Sequence, residues 1–166
     1  MGQQADLMST GEAARLLGCS RQHVVDLCGR GVLPFVSVGS HRRVRRADVT
    51  GLMSRELTRD QERSLWLHRA VAGRLALDPP KVLAQVGKNL QHLRQVHPVG
   101  MTARWLDEWQ KVLDSGDDAV FSALTSSSMH AVELRQNSPF AGVLSEQERT
   151  AALEAFRNHW RQAHAA

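Results

Sequence analysis

Long apolar runs are missing from this 166-residue sequence. No stretch approaches the roughly 18 residues that a membrane span requires, so no membrane is expected as a partner. Cysteine is scarce. Two thiols, Cys19 and Cys28, cannot build a disulfide framework and lack a CxxC partner for zinc, so they are expected as core thiols in a reducing cytoplasm. The opening residues MGQQADLMSTGE have neither the basic start nor the apolar stretch of a secretory leader, which again makes the cytoplasm the expectation. Five Pro and 12 Gly are ordinary amounts and exclude collagen-like or low-complexity chains. Catalytic patterns are also lacking. The pairs His92/His97 and His159/His164 miss the one-face spacing of HExxH, while Asp107-Glu108 and Asp117-Asp118 suit a solvated helix surface and a helix start. No catalytic residue, metal or cofactor is therefore expected.

Positive charge, by contrast, is concentrated. Residues 1–60 carry nine Arg against six acids, and four of those Arg lie in His41-Arg42-Arg43-Val44-Arg45-Arg46, whereas the remaining 106 residues carry twelve bases against eleven acids. A basic cluster in a small N-terminal module points to a polyanion as its partner; the near-neutral remainder points elsewhere.

The local signals divide the chain in the same way. Ser9 to Glu12 is a capping box opening a helix with Ala13, Leu16 and Leu17 on its apolar face and Gly18 as its stop. Ser20 caps a second helix through about Cys28, with Val24, Val25 and Cys28 inward. Phe35–Val38 and Arg42–Val44 alternate as two strands of a hairpin closed by Gly39-Ser40-His41, and Arg46 opens a third helix carrying Val49, Leu52 and Met53. From Thr58 onward the pattern is helical throughout. Thr58–Gln61 and Ser145–Glu148 are further capping boxes, and Asp78-Pro79-Pro80 is a cap followed by proline at the first helical positions. Helical stripes run through Leu67, Val71, Leu75; Val82, Val86, Leu90, Leu93, His97; Met101, Trp105, Trp109, Val112, Leu113; and Leu153, Phe156, Trp160, Ala163. Shorter helices are expected over 117–124 and 128–136, with 137–144 irregular. The expected fold is mainly α, with a winged helix-turn-helix over 7–57 and an all-helical region over 58–166 for partner binding or oligomerisation.

Helix, tight turn, helix and basic hairpin make a DNA-reading arrangement on physical grounds. A recognition helix presents a polar first turn to base edges and packs through its later residues, and Ser20, Arg21, Gln22 and His23 precede Val24 and Val25 in that order. His41, Arg42, Arg43, Arg45 and Arg46 on and beside the hairpin are candidate backbone or minor-groove contacts. The stretches Ser9–Gly18, Cys19–Val25, Gly31–Pro34, Val38–Val44 and Arg46–Val49 resemble the excisionase-type, MerR-like DNA-binding domain. That resemblance implies a second helix in the major groove and a hairpin acting as a wing. Cys19 stands where an aliphatic residue is usual.

The C-terminal region resembles a second family. Thr102–Trp109, Glu133–Ser145 and Glu148-Arg149 are similar to the C-terminal part of bacterial helix-turn-helix antitoxins of the VapB type. This implies a cognate PIN-domain ribonuclease toxin as partner, with Trp105, Trp109, Arg135, Asn137 and Phe140 as candidate toxin contacts. Trp105, Trp109, Phe156 and Trp160, on helical apolar stripes, suit the core first and a partner second, whereas Phe140, in an apolar Pro/Gly-flanked segment, suits either a partner pocket or the core. The expected function is thus a DNA-binding, operon-repressing antitoxin on double-stranded operator DNA. The alternative is a stand-alone regulator or recombination directionality factor. A module this small covers about one half-site, so a homo-oligomer on DNA is expected.

Overall fold

A computed structural model describes residues 6–165, which fall into two compact units: one holds the described residues up to Glu56 together with Ser128–His130, the other Leu57–Ser127 and the residues from Ala131 onward.

In the first unit, strand β1 (Leu7–Ser9) leads directly into helix α1 (Thr10–Leu17), followed by α2 (Arg21–Gly29), β2 (Phe35–Val38), β3 (His41–Arg45) and α3 (Arg46–Met53). Ser9 Oγ accepts from the Glu12 amide at 3.2 Å while the Glu12 carboxylate accepts from the Ser9 amide at 2.7 Å, which satisfies two of the helix's orphan donors. Gly18 ends α1 at φ +66°, in the left-handed region where a side chain is disfavoured. Both ends were legible. Strand β1 was not: three residues are too few to show an alternation, and pairing with β3 holds them (Leu7 opposite Arg45, Ser9 opposite Arg43). The sheet is antiparallel throughout, in the order β1-β3-β2. Met8, Ala13, Leu17, Val24, Leu27, Leu33, Val44 and Val49 form its core, and each fully buried aliphatic side chain contributes about 1.5–3 kcal/mol. Val25 is only half-buried; Leu27 takes the inward place.

The second unit is helical: α4 (Arg59–Leu77), α5 (Pro79–Val96), α6 (Met101–Asp114), α7 (Asp117–Thr125), the larger part of α8 (Met129–Gln136) and α9 (Glu146–Ala163). No helix among the described residues is long and apolar enough to cross a membrane. The capping boxes at Thr58 and Ser145 form, and Asp78 both ends α4 and caps α5. Val71 and Leu75 meet Val82, Val86, Leu90, Trp105, Leu106, Trp109, Leu124 and Leu134 in one core.

That core absorbs most of the residues expected to touch a toxin. Trp109 is fully buried, and its indole Nε1 donates to the Leu134 carbonyl at 2.8 Å, the partner a buried indole N–H requires. Phe140 packs against it at 5.2 Å between ring centroids, in an edge-on arrangement, and is 4% exposed. Trp105 is buried in the same cluster. Arg135, buried on α8, donates through Nη1 to the carbonyls of Ala123 and Ser126 at the end of α7, where a cation offsets the helix's partial negative charge. Asn137 is half-buried, with its backbone amide on the Leu134 carbonyl. Trp105, Trp109, Arg135 and Phe140 are therefore interior residues, because the apolar segment around Phe140 completes this unit's own core.

Candidate nucleic-acid interface

Helix α2 starts at an N-cap: Ser20 Oγ accepts from the His23 amide at 3.1 Å. This serves helix initiation and leaves the hydroxyl proton available to an outside acceptor. Arg21 and Gln22, the first two helical residues, are exposed. Arg21 Nε donates to Thr10 Oγ1 at 3.2 Å, which orients the side chain from the start of α1. Gln22 Nε2 donates to Asp26 one turn later at 3.0 Å, leaving its own carbonyl oxygen for other donors. His23 departs from expectation. It is 3% exposed, with its ring edge-on to that of His130 in the same unit at 5.9 Å between centroids. A buried imidazole offers no edge to a base, so His23 is a packing residue in this structure.

The hairpin divides its arginines by strand parity. Successive side chains on a strand face opposite ways: Val44 is fully buried and Arg42, two residues earlier, shares its face, while His41, Arg43 and Arg45 occupy the other. On the inner face Arg42 Nη1 donates to the Val25 carbonyl of α2 at 3.1 Å, and the guanidinium lies 4.8 Å from the centroid of the Phe35 ring. Arg42 thus joins the hairpin to α2. Arg45 and His41 are exposed and Arg43 is half-buried. Arg46, at the start of α3, forms an exposed ion pair with Asp6. The turn between the strands is Gly39-Ser40, with Gly39 at φ +61°, the left-handed geometry a two-residue hairpin loop uses. Neither the Arg42–Val25 bond nor the Arg21–Thr10 bond had a sequence signal beyond residue type, since each joins positions eleven or more apart.

Cys28 is buried and Cys19 half-buried; burial pushes both thiols up, Cys19 to about 11, which keeps them protonated and unreactive at neutral pH.

Residues 7–56 match the family model of the helix-turn-helix domain. The match spans β1, α1, the turn, α2, the hairpin and α3, and it supports a helix-turn-helix domain of the excisionase-like, DNA-binding kind over those residues. No curated protein and no solved structure matches the chain.

Proposed function

We propose that this chain is a transcription regulator that places α2 in the major groove of operator DNA, with the β2–β3 hairpin against the neighbouring backbone. The observation that carries this reading is the exposed, pre-oriented pair Arg21 and Gln22 at the capped start of α2, beside a basic wing. Arg21 suits bidentate contact with guanine and Gln22 with adenine; Ser20, His41, Arg43, Arg45 and Arg46 suit phosphate. Residues 7–57 and 58–166 would then divide the work between DNA and a partner.

Within this class, the resemblance of 102–109, 133–145 and 148–149 to VapB-type antitoxins supports a finer reading: an antitoxin that neutralises a PIN-domain ribonuclease and represses their shared operon. One observation favours the second reading, a stand-alone regulator or recombination directionality factor. Four of the five candidate toxin contacts, Trp105, Trp109, Arg135 and Phe140, are buried, so the likeness speaks for a shared scaffold more directly than for a shared toxin contact.

Fluorescence anisotropy with duplexes tiled across the upstream region of the gene tests DNA binding. A preferred duplex bound at least about a thousandfold tighter than random sequence is expected; uniform affinity across all tiles overturns it. Co-purification with the product of the adjacent gene separates the finer readings: a stable, inactive ribonuclease complex supports the antitoxin, and no association supports the stand-alone regulator.

A further inference from the structure

Strand β2 is an open edge of the sheet. In the order β1-β3-β2 it pairs with β3 alone, and Phe35, Val36 and Val38 are 39, 41 and 53% exposed. Val38 and His41 flank the two-residue turn, so they exchange hydrogen bonds, and antiparallel alternation makes Val36 and Arg43 the next bonded pair. The backbone amides and carbonyls of Phe35 and Ser37 therefore point away from β3, and they have no partner among the described residues. Edge strands are ordinarily guarded by a charge, a proline or a bulge. Phe35-Val36-Ser37-Val38 holds no charge and no proline, and its register with β3 runs without a bulge. The opposite edge differs: in β1 the Ser9 amide is taken by the Glu12 carboxylate.

The open groups are self-complementary. Phe35 and Ser37 lie symmetrically about Val36, so a second β2 laid antiparallel with a two-fold axis at Val36 brings Phe35 of each copy opposite Ser37 of the other. Each such pair exchanges both of its backbone hydrogen bonds. At the axis Val36 meets Val36 of the second copy, apolar on apolar, and Val38 comes opposite Pro34, whose missing donor costs no bond at that non-hydrogen-bonded position. With no charged side chain in β2, the pairing sets no like charges directly opposite.

We propose that β2 is the surface through which two copies of this chain pair, edge to edge, into one continuous antiparallel sheet. The pairing stands on the backbone of β2 and needs no DNA. If α2 reads one half-site as proposed above, the second copy reads the other, and Arg43 and Arg45, one strand in on β3, stay clear of the axis.

Sedimentation velocity of the full-length protein without DNA tests this, at roughly micromolar to millimolar concentrations, where so small an interface associates. A monomer–dimer equilibrium is expected. Ser37→Pro removes an outward amide from each copy and spares the β2–β3 ladder, so it should raise the dissociation constant about tenfold, whereas Ser37→Ala keeps the amide and should not. Val36→Cys and Val38→Cys, compared under mild oxidation with Cys19 and Cys28 unchanged, read the register. The Cα atoms at the axis lie about 4.5 Å apart, within the roughly 4.4–6.8 Å that a disulfide spans, while position 38 is about 13 Å along the strand from its own counterpart. Linked dimer should therefore form at least about tenfold faster in Val36→Cys. Where the proline unsettles the hairpin, the cysteine pair decides alone. A protein monomeric throughout, a dimer as tight in Ser37→Pro as in the wild type, or equal linking at the two positions overturns the proposal.

Discussion

Arg42 donates through Nη1 to the carbonyl oxygen of Val25, so the residue that looks from sequence like one more phosphate contact joins the β2–β3 hairpin to α2. The hexapeptide 41–46 is therefore not a uniform basic patch. Arg45→Ala should flatten the slope of log affinity against log salt by about 0.9, the value for one phosphate contact, and leave the melting temperature unchanged. Arg42→Ala should instead lower stability by about 1–2 kcal/mol through the lost charged hydrogen bond and ring contact, with a smaller change in slope. Salt titrations beside thermal melts distinguish the two; equal slope changes would put both side chains on phosphate.

Arg21→Ala should cost about 1–3 kcal/mol on the preferred duplex and much less on random DNA, because bidentate contact to guanine discriminates between bases and phosphate contact does not. Anisotropy on both duplexes measures the difference. His23→Ala should leave the ratio of the two affinities unchanged while destabilising the protein, since its ring is buried.

Phe140→Ala should lower stability by about 3–5 kcal/mol in the absence of any partner, the usual cost of emptying a buried aromatic site. Trp109→Phe should cost less in volume and removes one of two donors to the Leu134 carbonyl, which keeps the Asn137 amide, a loss of about 0.5–1.5 kcal/mol. Denaturant unfolding measures both. Wild-type stability in Phe140→Ala would return that ring to the list of partner contacts.

His68 gives the helical unit a pH dependence. Burial pulls its pKa below the ordinary 6.5; the Ser64 carbonyl, 2.7 Å from Nδ1, opposes this and Arg135 adds to it. Nδ1–H donates to that carbonyl and Nε2 accepts from the Ser138 hydroxyl at 2.8 Å, a neutral tautomer. The unfolded chain binds the proton more readily, so this contribution is complete above about pH 6.5 and declines as pH falls through the lower folded value. Unfolding free energies across that range should slope upward with pH, and His68→Gln should reduce the slope.

The helix starts were legible because caps are local: Ser9, Ser20, Thr58, Asp78 and Ser145 each bond an amide three residues ahead. The hairpin and the apolar stripes were legible for the same reason. What sequence could not supply was the direction of individual side chains once the elements pack. The exposed first turn of α2 holds Arg21 and Gln22 as expected, yet His23 is inside it. Arg135, a charged residue expected as a partner contact, instead closes the end of α7, bonding carbonyls twelve and nine residues back. Strand parity would have separated Arg42 from Arg43 and Arg45, but nothing local says that Val25 offers its carbonyl to Arg42.

Residues 137–144 have no helix or strand, yet their backbone is held from several sides. Asn89 Nδ2 donates to the carbonyls of both Pro139 and Ala141 at 2.8 Å, Ser138 Oγ accepts from the Phe140 amide, and the Val143 amide returns to the Phe140 carbonyl. A protease needs an extended, pliable substrate, and supplying one here would mean drawing Phe140 out of the core and freeing the clamp on Asn89. Cleavage in this stretch should therefore follow the opening of the whole helical unit, and a peptide bond that looks like an ordinary loop site would outlast the frayed ends of the helices around it.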